Sequence, residues 1–349
     1  MTQSPPPHLA SHAQTYASDP RKAALDWFRN AEFGLFIHYG LYSLLAGEWK
    51  GRQQTKKGAE WIQWELDIPV AEYAKLKDRF TAERFDADAI CDLALQAGMR
   101  YVNLTTEHHD GFCLWDTGTT DFSSMHAPAQ RDLVRELTEA CARKGLGCFL
   151  YYSHGRDWWH PDSPVSEDIS CRPRGVDHDY FNWGDDLKLD RYLDLVEAQV
   201  LELCAYPGVA GIWLDGIAGF KKMEHGVVLS RCQDLYDKVH ATSPDILVAY
   251  KQGLTYTEDF YAPERRIREG ALPTDGRPYE ICTTLQPKSW GCKRSDDGQH
   301  HNADWVMAQL EEARNIPANL LLNTGPEADG SIPEEDVETL REVGKRRLG

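Results

Sequence analysis

Short apolar runs alternate along most of this chain with longer stretches of helical spacing, and that alternation leaves few folds open. Gly34–His38, Tyr101–Thr105, Cys148–Tyr152, the run from Val209 to Leu214, Ile246–Tyr250, Ile281–Leu285 and Leu320–Asn323 read as strands. Runs that are apolar at nearly every position belong to strands buried on both faces. Arg21–Asn30, Ala71–Arg79, Ala87–Ala97, Asp132–Lys144, Leu187–Ala205, Val228–His240, Trp305–Asn315 and Glu334–Arg347 carry the helical pattern. Repeated strand–helix alternation calls for a parallel sheet covered by helices. Polar residues close many of the strands, and no GxGxxG or GxxxxGK[S/T] loop follows the first one. That pattern favours an α/β fold of the (β/α)8-like TIM-barrel type over a doubly wound sheet, and gives nucleotide binding no support. Residues 1–18, with Pro5-Pro6-Pro7, read as a flexible tail, and 19–349 as one barrel domain.

The formal net charge of -17 repels polyanions and anionic lipid, so neither a nucleic acid nor a membrane is expected as partner. It suits a neutral ligand such as a glycan. No apolar stretch is long enough to span a bilayer, and Met1–Ser18 lacks the basic start and apolar core of a secretory signal. Nine cysteines, an odd number without close pairing, fit free thiols in a reducing cytoplasm. A signal removed earlier would instead place the protein in the periplasm or outside the cell. Neither a CxxC pair nor an HExxH is present, and no metal or cofactor is expected.

The strand ends carry the chemistry. Gly211-Ile212-Trp213-Leu214-Asp215-Gly216 delivers one carboxylate to the end of an apolar strand. Strand side chains alternate, so Trp213 and Asp215 share a face. An aromatic plate beside a carboxylate suits a sugar-cleaving site, where the anomeric carbon gains positive charge. A lone Asp-Gly is more often a turn or helix cap. Here, however, the other strand ends give His38, then Glu107-His108-His109-Asp110, then Tyr151-Tyr152-Ser153-His154, then Tyr250-Lys251. Histidines and carboxylates converging on one barrel face point to a site. His108-His109-Asp110 leaves a metal reading open, although adjacent residues of an extended chain face opposite ways. A segment of thirty residues, 155–184, follows the third strand and holds Trp158, Trp159, Tyr180, Phe181 and Trp183. On a barrel it lies on the active face, as functional loop or as self-packed insertion.

These residues resemble those of the glycoside hydrolase family 29 α-L-fucosidases, over roughly Ala24–Leu348. Trp27-Phe28 with Phe33-Gly34-Leu35-Phe36-Ile37-His38-Tyr39-Gly40 is similar to the family's "FG.F.HWG". Glu107-His108-His109-Asp110-Gly111-Phe112 is similar to its "KHHDGF", followed by Trp115. Gly147–Ser153 resembles its "G.Y.S" strand, Gly211–Gly216 its nucleophile strand, and Trp290-Gly291 and Asn319–Pro326 two late motifs. The resemblance implies a retaining exo-glycosidase, without cofactor or metal, that releases terminal α-L-fucose from fucosylated oligosaccharides or glycoconjugates by double displacement. It implies a barrel catalytic domain without the C-terminal β-sandwich that many relatives carry. Asp215 matches the nucleophile. The acid/base is harder to place: Glu264, in a "PE" after the fifth strand, is favoured, then Glu280, then Glu60. His38, Glu60, Trp61, His108, His109, Tyr152, Trp213, Lys251 and Trp290 are the residues expected to line the sugar pocket.

Three positions depart from the pattern. Tyr39 stands for the family's Trp, Glu107 for its Lys, and Lys251 where an Arg is expected. Glu107 reverses a charge near the site, and a lysine cannot make the bidentate contact of an arginine. These departures keep open a barrel glycosidase for a related sugar. The uncertain acid/base keeps open a fucose-binding protein without catalysis. Hydrolysis and transfucosylation are both open to a retaining enzyme.

Overall fold

The computed structural model describes residues 4–163, 186–215, 226–251, 258–265 and 275–349. Among them seven strands form one parallel sheet: β1 (Phe33–Ile37), β2 (Tyr101–Glu107), β3 (Gly147–Tyr152), β4 (Val209–Leu214), β5 (Leu247–Tyr250), β6 (Tyr279–Thr284) and β7 (Ala318–Thr324). Their order is β5-β4-β3-β2-β1-β7-β6. The outer strands β5 and β6 are joined through residues 258–265. Parallel bridges link Lys251 with Ala262, Tyr261 with Tyr279 and Glu264 with Cys282. Asp259 N donates to Val248 O (2.7 Å) and Arg265 N to Cys282 O (2.8 Å). This eighth stave makes the fold a (β/α)8-like barrel. The sequence reading leaves it as loop because Pro263, which has no N–H to give, interrupts its ladder.

The long helices are α1 (Pro20–Arg29), α2 (Ala87–Gln96), α3 (Leu133–Lys144), α4 (Asp186–Cys204), α5 (Gly226–Thr242), α6 (Ala303–Asn315) and α7 (Glu334–Leu348). Several starts are set locally. Asp19, Asp86, Asp132 and Asn302 each accept the backbone N–H three residues on, which satisfies a donor the helix itself leaves unpaired. The expected helix Ala71–Arg79 is instead one α-turn, Val70–Tyr73, followed by 3-10 turns over Ala74–Arg79. Its buried residues, Tyr73 and Leu76, lie three apart, which is the period of the tighter helix.

Period-two alternation separates two cores. Leu35, Ile37, Val102, Leu104, Leu150, Tyr152, Ile212, Leu214, Val248 and Tyr250 face outward, in the cluster that includes α2, α3 and α4. Phe36, Tyr101, Phe149, Tyr151, Trp213, Phe260, Cys282 and Leu321 fill the barrel. Fully burying one of these large side chains stabilises by about 2–3 kcal/mol. The inward glycines make room for them: a Cβ on Gly211 would meet the Phe149 ring at 2.3 Å, and one on Gly34 the Tyr101 ring at 2.4 Å. α1 closes the N-terminal end with Trp27 and Phe28, the latter 4.3 Å from Phe260 between ring centroids. The segment read as a flexible tail joins this plug. Pro7–His12 and Ala13–Tyr16 are helical, Leu9 is fully buried, and the His8 ring meets Trp27 edge-on at 4.7 Å. Its polar, proline-rich composition hides two apolar anchors, Leu9 and Tyr16, seven residues apart on one helical face.

Candidate active site

The inward positions at the C-terminal ends of the strands converge. Two residues above the barrel-filling Trp213 stands Asp215. Above Ala249 stands Lys251, above Ala262 stands Glu264, above Phe36 stands His38, and above Leu321 stands Asn323. Active sites of (β/α)8 barrels form at this end, where the strands deliver side chains to one space.

Lys251 joins two carboxylates. Its Nζ lies 3.5 Å from Asp215 Oδ1 and 3.0 Å from Glu264 Oε2. Laid end to end, those distances hold the nearer carboxylate oxygens within about 6.5 Å of each other. Tyr151 donates its hydroxyl to Asp215 Oδ2 at 2.8 Å, and His109 Nε2 lies 4.0 Å from the same oxygen. Burial alone would push the Asp215 carboxyl up. The charges of Lys251 and Arg156, with the Tyr151 hydroxyl and His108, outweigh burial and bring its pKa down to about 2. For Lys251 the balance runs the same way: burial opposes its charge, and Asp215 and Glu264 more than restore it, raising its pKa. Asp215 is thus an ionised, nearly buried nucleophile candidate, while the Glu264 side chain is 31% exposed and stands nearer the mouth.

Three neutral histidines crowd the same space. Burial pushes His38 down to about 3, and burial with neighbouring positive and imidazole groups pushes His108 and His109 well below their usual range. Their tautomers follow from fixed donors. Asn323 Nδ2 donates to the Trp290 carbonyl (2.7 Å) and to Thr284 Oγ1 (3.0 Å), so its Oδ1 accepts from His38 Nδ1–H at 2.6 Å. Ser153 Oγ donates to the Arg156 carbonyl (2.6 Å) and so accepts from His109 Nδ1–H, also at 2.6 Å. Both rings are left with a bare Nε2 able to accept a sugar hydroxyl. His108 stacks on Tyr151 at 5.5 Å between centroids, packs tilted against His109 at 4.1 Å and meets His38 edge-on at 5.8 Å.

The aromatic wall is held from behind. Glu60 is buried and accepts from Trp290 N (3.1 Å) and Gly291 N (3.0 Å). Burial raises its pKa, as does the charge of Glu264, while the backbone donors oppose the rise. Glu60 therefore holds the loop that carries Trp290, whose ring lies 5.1 Å from His38. Trp61 meets His109 edge-on at 4.9 Å and Trp158 at 5.7 Å, and Arg156 sits 5.5 Å over the Trp61 ring.

Two expected pocket residues, Tyr152 and Trp213, and one acid/base candidate, Glu280, lie elsewhere. Tyr152 points out of the barrel and donates to Gln199 Oε1 of α4 at 2.6 Å. Alternation puts its neighbour Tyr151 inside, on Asp215. Trp213 shares the face of Asp215 as expected, but it lies a layer deeper, 1% exposed and stacked against Tyr151 at 5.5 Å. Glu280, second residue of β6, is deeper still in strand order. Its oxygens accept from Tyr101 hydroxyl (2.6 Å) and Trp213 Nε1 (3.0 Å), and burial lifts its pKa to about 7 despite both donors. It supports the barrel interior and is not brought together with Asp215.

Comparison with known proteins places this geometry. The family model for alpha-L-fucosidase matches residues 3–346. The chain belongs to the α-L-fucosidase family. It is a glycoside hydrolase by that membership. A tissue alpha-L-fucosidase of Bos taurus is 28% identical, over 91% of this chain and 66% of the relative, and a putative alpha-L-fucosidase of Caenorhabditis elegans is 26% identical, over 97% and 68%. The chain spans about two thirds of the length of these animal proteins. Alpha-L-fucosidase AlfC from Lactobacillus casei, solved with its α-L-fucose product, is 30% identical with a TM-score of 0.78, covering 93% of this chain and 98% of that one. Isoenzyme 1 from Paenibacillus thiaminolyticus is 30% identical with a TM-score of 0.75, over 94% and 76%. Two further AlfC structures are of fucosyltransferase mutants.

The family pattern also sharpens the departures. Glu107 stands where its charge is disfavoured. Burial, then the nearby Asp157 and Asp110, push its pKa well above the carboxylate range, which favours the uncharged acid. It accepts from Ser153 N (3.2 Å) beside the histidine loop. Lys251 stands beside the fifth strand, and a guanidinium, that of Arg156 on the loop after β3, also acts on Asp215. Sequence reasoning missed Arg156, Ser153 and Asn323. Of these only Ser153 and Asn323 sit in quoted motifs; Arg156 stands two residues past Ser-His with nothing to mark it. Tyr180, Phe181 and Trp183 of the long segment lie outside the described residues.

Proposed function

We propose that this chain is a retaining exo-acting α-L-fucosidase, with Asp215 as nucleophile and Glu264 as acid/base. The observation that carries the reading is the Asp215–Lys251–Glu264 bridge. Retaining glycosidases hold their two carboxyl groups about 5–5.5 Å apart and inverting ones about 6.5–9.5 Å. A single ammonium in contact with both, which keeps their nearer oxygens within about 6.5 Å, supports the shorter class. Asp215 attacks the anomeric carbon, its bond to that carbon forms, and the bond to the leaving oxygen breaks as Glu264 delivers a proton to it. The ester then removes the charge of Asp215. Glu264, ionised by giving up its proton in the first step, takes a proton from water, and the water oxygen bonds to the anomeric carbon as the ester bond breaks and frees Asp215. His38 and His109 accept sugar hydroxyls at Nε2, and Trp290 and Trp61 cover the apolar ring face and C6 methyl.

A covalent intermediate also permits transfer to a sugar hydroxyl in place of water. Cytoplasmic residence is supported by the eight described cysteines, all free. Among the described residues no helix is long and apolar enough to cross a membrane.

The test is release of nitrophenol from 4-nitrophenyl α-L-fucopyranoside by wild type, Asp215→Ala, Glu264→Ala and Glu280→Ala, with and without azide. Wild type turns over, and Asp215→Ala is inactive without azide. Azide rescues Glu264→Ala to the α-fucosyl azide and Asp215→Ala to the β-fucosyl azide. Rescue of Glu280→Ala in place of Glu264→Ala refutes the acid/base assignment. A folded wild type that prefers another glycoside, or binds fucose without releasing product, refutes the activity.

A further inference from the structure

We propose that His300, Glu335 and Asp297 form a divalent-cation site, suited to Zn2+, on the rim of the barrel apart from the sugar pocket. One ligand atom from each lies within 4.8 Å of the others. The His300 side chain is 4% exposed, and its Nε2 is buried without a hydrogen-bond partner. That nitrogen faces Glu335 Oε1 at 3.6 Å, beyond hydrogen-bonding range. The other side of the ring is fixed. Nδ1 lies 2.6 Å from Asp336 Oδ1, and Asp336 Oδ2 accepts from Thr324 Oγ1 at 2.6 Å. Asp336 is fully buried. A buried carboxylate on Nδ1–H aims the Nε2 lone pair and raises its basicity, which is the support that metal-bound histidines receive from their second neighbours.

Glu335 is held as well, since it accepts from Gly298 N (3.0 Å) and His300 N (3.3 Å). Each of its oxygens keeps a second lone pair. Asp297 is exposed on the loop that leads to α6. A tetrahedral zinc ion with ligands at about 2.1 Å holds them about 3.4 Å apart. The Nε2–Oε1 pair is already near that spacing, and Asp297 supplies the remaining closure. One imidazole with two carboxylates and a water suits zinc among the common divalent ions. The rival occupant is a proton. An imidazolium here would meet Glu335 Oε1 only as a 3.6 Å ion pair, longer than a hydrogen bond, and place one positive charge among the carboxylates of Asp297, Glu335 and Asp336, where a dication would balance more of the charge. The ion would tie the loop bearing Trp290 to the first turn of α7, and so stiffen one wall of the pocket.

The full-length protein is stripped with chelator, dialysed, and titrated with Zn2+ at neutral pH by calorimetry, with bound metal measured after gel filtration and thermal midpoints recorded across the titration. Wild type takes up one zinc per chain, and its midpoint rises with zinc concentration. Asp297→Asn, an exposed change, weakens uptake at least about tenfold, and Asp336→Asn about 10–100-fold through His300. Glu335→Gln abolishes stoichiometric uptake; if that variant does not fold, Asp297→Asn decides. No stoichiometric uptake by wild type, or uptake undiminished in Asp297→Asn, overturns the proposal.

Discussion

Two of the buried carboxylates of this barrel, Glu280 and Asp215, behave oppositely. Glu280 lies low in the interior, 1% exposed, with only neutral donors, Tyr101 and Trp213, upon it, and its pKa stands near 7. Asp215 lies at the C-terminal rim, 6% exposed, with Lys251 and Arg156 close by, and its pKa is drawn to about 2. Both are nearly shut off from solvent, so exposure does not explain the contrast. The difference is the cations, and the cations come from loops and strand ends. A hydrogen bond from a hydroxyl or an indole does not offset the cost of a buried charge, while an ammonium in contact does. The two ends of the barrel thus divide the work: aromatic packing at one, stored charge at the other.

The largest test of this division is Asp215→Ala. Turnover falls on the order of 10^4-fold or more, with far-UV circular dichroism unchanged. Loss of activity only through unfolding would remove the contrast. Next, Lys251→Met leaves Asp215 with Arg156 as its main cation. We expect kcat/KM to fall about 100-fold and the acid limb of its pH profile to move upward, because the Asp215 pKa climbs back toward burial's preference. An acid limb that stays in place would mean that Lys251 does not set that charge.

Stability against pH separates the pair in sign. The Glu280 carboxyl is raised from 4.5 to about 7 in the folded state, so folding takes up a proton between those values. Its contribution is present at low pH and is lost as pH rises from about 4.5 through 7, a change of a few kcal/mol, on the order of 1.4 per pKa unit. Asp215, depressed from 3.8 to about 2, contributes above 3.8 and loses that contribution as pH falls through about 2. Chemical denaturation of wild type and Glu280→Gln from pH 5 to 8 reads the first term, and equal pH slopes would deny it. The smallest expected effects compare adjacent tyrosines. Tyr151→Phe costs about tenfold in kcat/KM by releasing Asp215. Tyr152→Phe leaves kinetics within about twofold and costs about 1 kcal/mol of stability at Gln199. Equal kinetic effects would show that both tyrosines face the sugar.

The alternation of runs made the barrel legible, and the strand ends made Asp215, His38, His108, His109 and Lys251 legible as inward neighbours. What stayed hidden depends on parity and on distance in sequence. Tyr151 and Tyr152 are chemically identical, and only the β3 register tells which enters the barrel. Glu280 carries the right side chain for an acid/base, yet its strand begins at Tyr279 and so sets it low in the interior, two layers below Thr284. The eighth stave escaped because Pro263 interrupts its pairing, and Arg156 because it reaches the site from a loop. Asp297, His300 and Glu335 match no metal spacing, since Glu335 arrives from the first turn of α7.

The central claim is that Asp215 is the nucleophile of a retaining enzyme. A 2-deoxy-2-fluoro-α-L-fucosyl donor with a good leaving group slows both steps and allows the intermediate to accumulate. Intact-mass measurement followed by peptide mapping is the direct test. The account predicts one added fluorofucosyl unit per chain, mapped to Asp215 and absent from Asp215→Asn. An adduct on Glu264 or Glu60, or rapid release of the β-anomer from the unsubstituted substrate, would contradict it.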